Sequence, residues 1–127
     1  MLFDTNFLIA LQRGTKSAAR SRAKAFLEAQ PPAAAFYISR VTWMEFVAGF
    51  ETSSAALPYL SLFTLIEVDA LVWWDASRVV RSLGLRGKRI GAADSIIAAT
   101  AIHYGLPVVT NNTKHFREVI GLDVRQY

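Results

Sequence analysis

Three acids attract attention because of the residues around them. Asp4 lies within MLFDTNFLIAL, a stretch otherwise nearly fit for a protein core; Glu45 lies in VTWMEFVAG; and Asp94 precedes an uncharged run from Ser95 to Thr113. An ionised carboxylate among apolar neighbours is costly unless something pairs with it. If the three converged, their mutual repulsion would raise their pKa values. A divalent cation removes that conflict. Mg²⁺ or Mn²⁺ takes oxygen donors, so Asp, Glu, Asn and water suit it, and such a site can activate water and hold a phosphate for in-line hydrolysis. Arg and Lys nearby would position a nucleic-acid backbone.

Convergence depends on the elements that carry these residues. Met1–Asp4 reads as a strand, followed by a helix from Asn6 to Gln12 with Gly14 as its stop, and a second helix over Ser17–Gln30 that ends at Pro31-Pro32. A strand over Ala34–Ser39, helices over Thr42–Phe50 and Ser54–Leu62, and a strand over Thr64–Asp69 come next. Ala70–Leu83 is helical, Leu85–Gly91 is a basic connector, Ala92–Tyr104 is helical and Pro107–Thr110 is a fourth strand. A short helical turn over Lys114–Val119 and a strand near Asp123–Arg125 finish the chain. Strands alternating with helices predict an α/β/α sandwich, with a parallel sheet of four to five strands covered on both faces, as one domain over residues 1–127. In such a fold, strand ends and helix starts share one sheet edge. That edge would collect Asp4, Glu45, Asp94 and the loop Thr110–Asn112, with Arg86, Lys88 and Arg89 of the connector directed towards it.

Composition is consistent with this reading. The chain is 53% hydrophobic and 19% charged, which excludes disorder, and it has no cysteine for a disulfide or thiolate metal site. Gly105 and Pro107 interrupt the long uncharged stretch and no signal-peptide pattern opens the chain, so a soluble, cytoplasmic protein without a membrane span is expected. The net charge of +4 suits a polyanionic partner.

Structural roles compete at each position. Asp4 can cap the helix after it, Thr42-x-x-Glu45 has the spacing of a capping box, Asp94 suits a helix's first turn, and Asp69 caps the next helix. His103 and His115 read as structural. Trp43, Trp73 and Trp74 suit a core or dimer contact better than stacking on nucleic-acid bases. Arg13, Lys16, Arg20, Arg22 and Lys24 read as a solvated helix face, which leaves Arg86, Lys88 and Arg89 as the better nucleic-acid-binding candidates.

With FDTNFLIAL, VTWMEFVAG and IGAADSIIAATAIHYGLPVVTNNTKHF in order along nearly the whole chain, the sequence resembles the PIN-domain ribonucleases, specifically the VapC toxins of toxin–antitoxin pairs. The resemblance implies a PIN-like fold and an endoribonuclease dependent on Mg²⁺ or Mn²⁺, with Asp4, Glu45 and Asp94 as metal-binding acids. It also implies a homodimer and a VapB-type antitoxin whose tail blocks the site. Asn6 and Thr110 match polar positions that would orient the ligands. Asn112 stands where many members carry a fourth acid, so it counts as a site residue whose neutral amide would weaken a second ion. Two other readings remain: a PIN-like module that binds RNA or protein without cutting, and a phosphoacceptor receiver domain. LFDTN offers the latter only one of the two acids it needs.

Overall fold

The computed structural model describes all 127 residues. Strands β1 (Leu2–Phe3), β2 (Tyr37–Ser39), β3 (Thr64–Ile66), β4 (Val108–Val109) and β5 (Val124–Arg125) form one parallel sheet in the order β3-β2-β1-β4-β5. Helices α1 (Thr5–Gln12), α2 (Ala18–Glu28), α3 (Arg40–Val47), α4 (Leu57–Leu60), α5 (Ala70–Leu85), α6 (Ala92–His103) and α7 (Thr113–Phe116) cover it.

Successive strand residues point to opposite faces, and each face has its own core. Phe3, Ile38 and Val109 meet α1 to α4 through Phe7, Leu8, Ala23, Phe46 and Leu60. Leu2 and Val108 meet α5 to α7 through Leu83, Ile97, Ala101 and Phe116. Both residues of β1 and both of β4 are fully buried, as expected for central parallel strands covered on two sides. Asp4 and Thr110 follow these two strands directly, so the best-packed part of the sheet positions them.

Several boundaries differ from expectation for identifiable reasons. The third helix begins at Arg40 because the Ser39 hydroxyl accepts the Thr42 N–H at 3.2 Å. Ser39 is therefore the cap, the box between Thr42 and Glu45 does not form, and Glu45 falls in the second turn. The helix expected over Ser54–Leu62 divides into a 3₁₀ turn, Ser53–Ala56, and α4, whose first turn accommodates Pro58. The helix α5 runs on to Leu85, where Gly87 at φ +67° allows a paired closure: Lys88 N–H donates to Leu83 O at 2.9 Å and Gly87 N–H to Gly84 O at 3.0 Å. Asp69 caps α5, as expected, by accepting the N–H groups of Leu71 and Val72, each at 3.0 Å.

Candidate active site

Asp4 is 2% exposed. Its N–H continues the β1–β4 ladder to Val109 O at 3.3 Å, so the sheet determines where the carboxylate stands. Oδ1 accepts the Phe7 N–H at 3.0 Å, capping α1, and Oδ2 accepts the Thr110 hydroxyl at 2.5 Å. The Thr110 oxygen in turn accepts the Asn112 N–H at 2.8 Å, so its single proton is committed to Asp4. Burial pushes the Asp4 pKa up from 3.8 to about 6. Hydrogen bonds from Thr110, Phe7 and Asn6 oppose that rise, and the charge of Asp94 adds to it.

Asp94 is therefore within electrostatic reach of Asp4. It occupies the first turn of α6, whose cap, Gly91, has no side chain to serve that end. Its Oδ2 lies 2.9 Å from His115 Nδ1 and 3.5 Å from Asn112 Nδ2, and those two nitrogens are 3.0 Å apart. The bond from His115 to Asp94 requires the ring proton on Nδ1. His115, expected to be only structural, thus belongs to the site. Its spacing of three from Asn112 across α7, which puts both on one face, was the available signal. His103 lies at the other end of α6, 3.4 Å from Asp75, and matches its structural reading.

Glu45 reaches this edge indirectly by accepting the Thr5 hydroxyl, and Thr5 directly follows Asp4. No group of three or more His, Asp or Glu side chains closes around a point that could hold a metal ion. The acids whose charges reach one another are Asp4 and Asp94, with Thr110 bonded to the first and Asn112 to the second. A buried carboxylate with a raised pKa lacks counter-charge, and the side chains around the two acids offer carboxylate, hydroxyl and amide oxygens; both features suit a hard divalent cation.

Two of the three connector cations turn elsewhere. Arg86 donates to Glu118 O at 2.7 Å, and Lys88 lies 3.5 Å from the Glu118 carboxylate. Trp73 and Trp74, at 53% and 68% exposure, lie outside the core, whereas Trp43 packs against it.

Comparison with known proteins agrees with this geometry. The family model described as the PIN domain matches residues 1–122. "Ribonuclease VapC1" of Rickettsia felis is 29% identical over 134 residues, covering 98% of this chain and 93% of its own. The "tRNA(fMet)-specific endonuclease VapC" of Shigella flexneri is 33% identical over 92 residues, covering 67% and 70%. Among solved structures, a toxin–antitoxin complex from Klebsiella pneumoniae superposes with a TM-score of 0.76 at 33% identity, covering 95% and 93%.

Proposed function

The chain belongs to the PIN-domain family, and on that premise we propose that it is an endoribonuclease of the VapC kind, hydrolysing RNA phosphodiester bonds at the edge shared by Asp4 and Asp94. The observation that carries this reading is the pair itself: a buried carboxylate whose pKa a second carboxylate helps to raise, at the ends of a parallel sheet. Asp4 and Asp94 would hold a Mg²⁺ or Mn²⁺ ion, with Glu45 completing the acid set. When bound, that ion supplies an activated water and neutralises charge on the phosphate.

The chain's own groups prepare the site. Thr110 and the Phe7 N–H hold Asp4 in one orientation, so nothing must be ordered when substrate arrives. His115 and Asn112 orient Asp94, and Asn6 stabilises the ionised form of Asp4. With a pKa of about 6, Asp4 is ionised at neutral pH.

The partners are RNA, a VapB-type antitoxin and a second copy of the chain. The exposed Leu71, Trp73 and Trp74 on α5 suit a protein contact. Arg86, Lys88 and Arg89 stay as candidate backbone contacts, with Glu118 offsetting part of their charge. No helix is long and apolar enough to cross a membrane.

The reading is tested by brief expression of the unsubstituted protein and of Asp94→Asn in a bacterial host, followed by sequencing of RNA 5′-phosphate ends. New ends at a few sites with the unsubstituted protein alone are expected. Identical profiles from folded protein free of inhibitor would favour a non-cutting module.

A further inference from the structure

The net charge of +4 is not spread evenly along the chain. Residues 5–30 contain five cations, Arg13, Lys16, Arg20, Arg22 and Lys24, against one acid, Glu28. This segment therefore holds the whole excess, and the rest of the chain is balanced. None of the five forms an ion pair, whereas Arg40, Arg78, Lys88 and Arg125 each face a carboxylate. Arg81, Arg86, Arg89, Lys114 and Arg117 form no ion pair either, but outside residues 5–30 cations and acids are equal in number, so the net charge of the molecule lies on the segment that carries α1 and α2.

The packing of α2 shows where this charge points. Ala19, Ala23, Phe26 and Leu27 face the core, leaving Arg22 and Lys24 exposed. Arg22 stands one turn ahead of Phe26 on the same helix face, and the Phe26 ring lies 6.5 Å from that of Tyr127. Arg13 ends α1, and its carbonyl accepts from Arg20 Nη1 at 3.2 Å, tying the two helices together. Tyr127 links this face to the acids: its ring meets Phe7 edge-on at 4.6 Å, and its hydroxyl donates to Asn6 O at 3.1 Å, two residues beyond Asp4. The phenol registers both neighbourhoods. Burial and then the charge of Asp4 push its pKa up to about 12, while a hydrogen bond with Asn111 and the charges of Arg22 and Arg13 oppose the rise.

We infer that the outer edge of α1 and α2 is the main track for the RNA backbone, with Arg13 and Arg22 holding phosphates beside Tyr127 while the scissile bond lies over Asp4 and Asp94. The inference rests on the ribonuclease reading. Two carboxylates repel a phosphodiester, so the attraction that holds the strand must come from cations beside them that no acid neutralises. The α1–α2 cations meet that condition as a group, whereas in the connector Lys88 lies beside Glu118 and Arg86 is held by the Glu118 carbonyl, which leaves Arg89 alone.

The test uses the full chain with Asp94→Asn, so that RNA is retained uncut. Binding of a labelled single-stranded RNA of mixed sequence is measured across a salt series for three surfaces: unsubstituted, Arg13→Gln with Arg22→Gln, and Arg86→Gln with Lys88→Gln and Arg89→Gln. The α1–α2 pair is expected to weaken binding about tenfold and to flatten the salt slope by about 1.4, roughly 0.7 for each lost phosphate contact. The connector triple is expected to change less. Arg13→Lys with Arg22→Lys, which retains the charge, should recover the slope. Loss carried by the connector alone, with the α1–α2 pair unchanged, overturns the inference, as does loss of affinity only for polyglutamate, which would mark the face as a site for acidic protein. Cleavage by the native chain is scored separately. Cutting with an insensitive α1–α2 face removes this inference and leaves the ribonuclease reading; binding through that face without cutting removes the ribonuclease reading and overturns the placement of a scissile bond, leaving only a backbone contact.

Discussion

Two carboxylates within electrostatic reach of each other sit in opposite settings. Asp4 is buried at the end of β1, its two oxygens engaged by a backbone N–H and a threonine hydroxyl that the β4 end delivers. Asp94 sits only partly buried, its side chain 25% exposed, on the first turn of α6, held by two side chains from a loop and a four-residue helix. The core of the fold fixes the first acid, and local contacts at the surface arrange the second. Burial raises the pKa of the first, so the molecule carries an electrostatic cost at Asp4 that a bound cation would relieve.

Substitution should separate the two settings. The largest effect is expected from Asp94→Asn: cleavage falls by about a thousandfold, while the unfolding free energy from urea denaturation changes by no more than about 0.5 kcal/mol, since a partly exposed group of the same shape is retained. A comparable loss of fold stability would erase the contrast.

Asp4→Asn should act oppositely on stability. The folded chain holds the Asp4 proton more tightly than the unfolded chain, so stability falls as pH rises from about 4 to about 6 and stays lower above that. Replacing Asp4 with neutral Asn removes the slope and stabilises the apo protein at pH 7 by up to about 3 kcal/mol. Denaturant curves at several pH values measure it, and a stability that rises across that window would reverse the sign.

Thr110→Val removes the hydroxyl bonded to the buried carboxylate and should cost about 2 kcal/mol. The matching change at the exposed acid, His115→Ala, should stay within about 0.5 kcal/mol of stability yet lower cleavage by about tenfold by releasing Asp94. Equal stability costs from the two would show that both acids are held alike.

Much of this edge was legible in the sequence. Strands alternating with helices imply a parallel sheet, and a parallel sheet puts Asp4, Thr110 and Asp94 on one side, whatever the element boundaries. The environment of Glu45 was harder to read, because Ser39 and Thr42 are both competent caps and the choice between them shifts the helix start. His115 was missed because its spacing of three from Asn112 gains meaning only once the path of α7 brings both residues to Asp94. The basic residues of α2 looked like a solvated face because sequence shows that they are exposed but not which cations find acids across the fold. Glu118 answers that for Lys88, and the absence of any such acid answers it for Arg22.

The central claim is that Asp4 and Asp94 together form a cation site. Calorimetric titration of Mn²⁺ at pH 7 into the unsubstituted chain, Asp4→Asn and Asp94→Asn tests it most directly. Binding by the unsubstituted chain, weakened at least about tenfold in each variant, is expected. Equal affinity in all three would show that the ion binds elsewhere and contradict the claim.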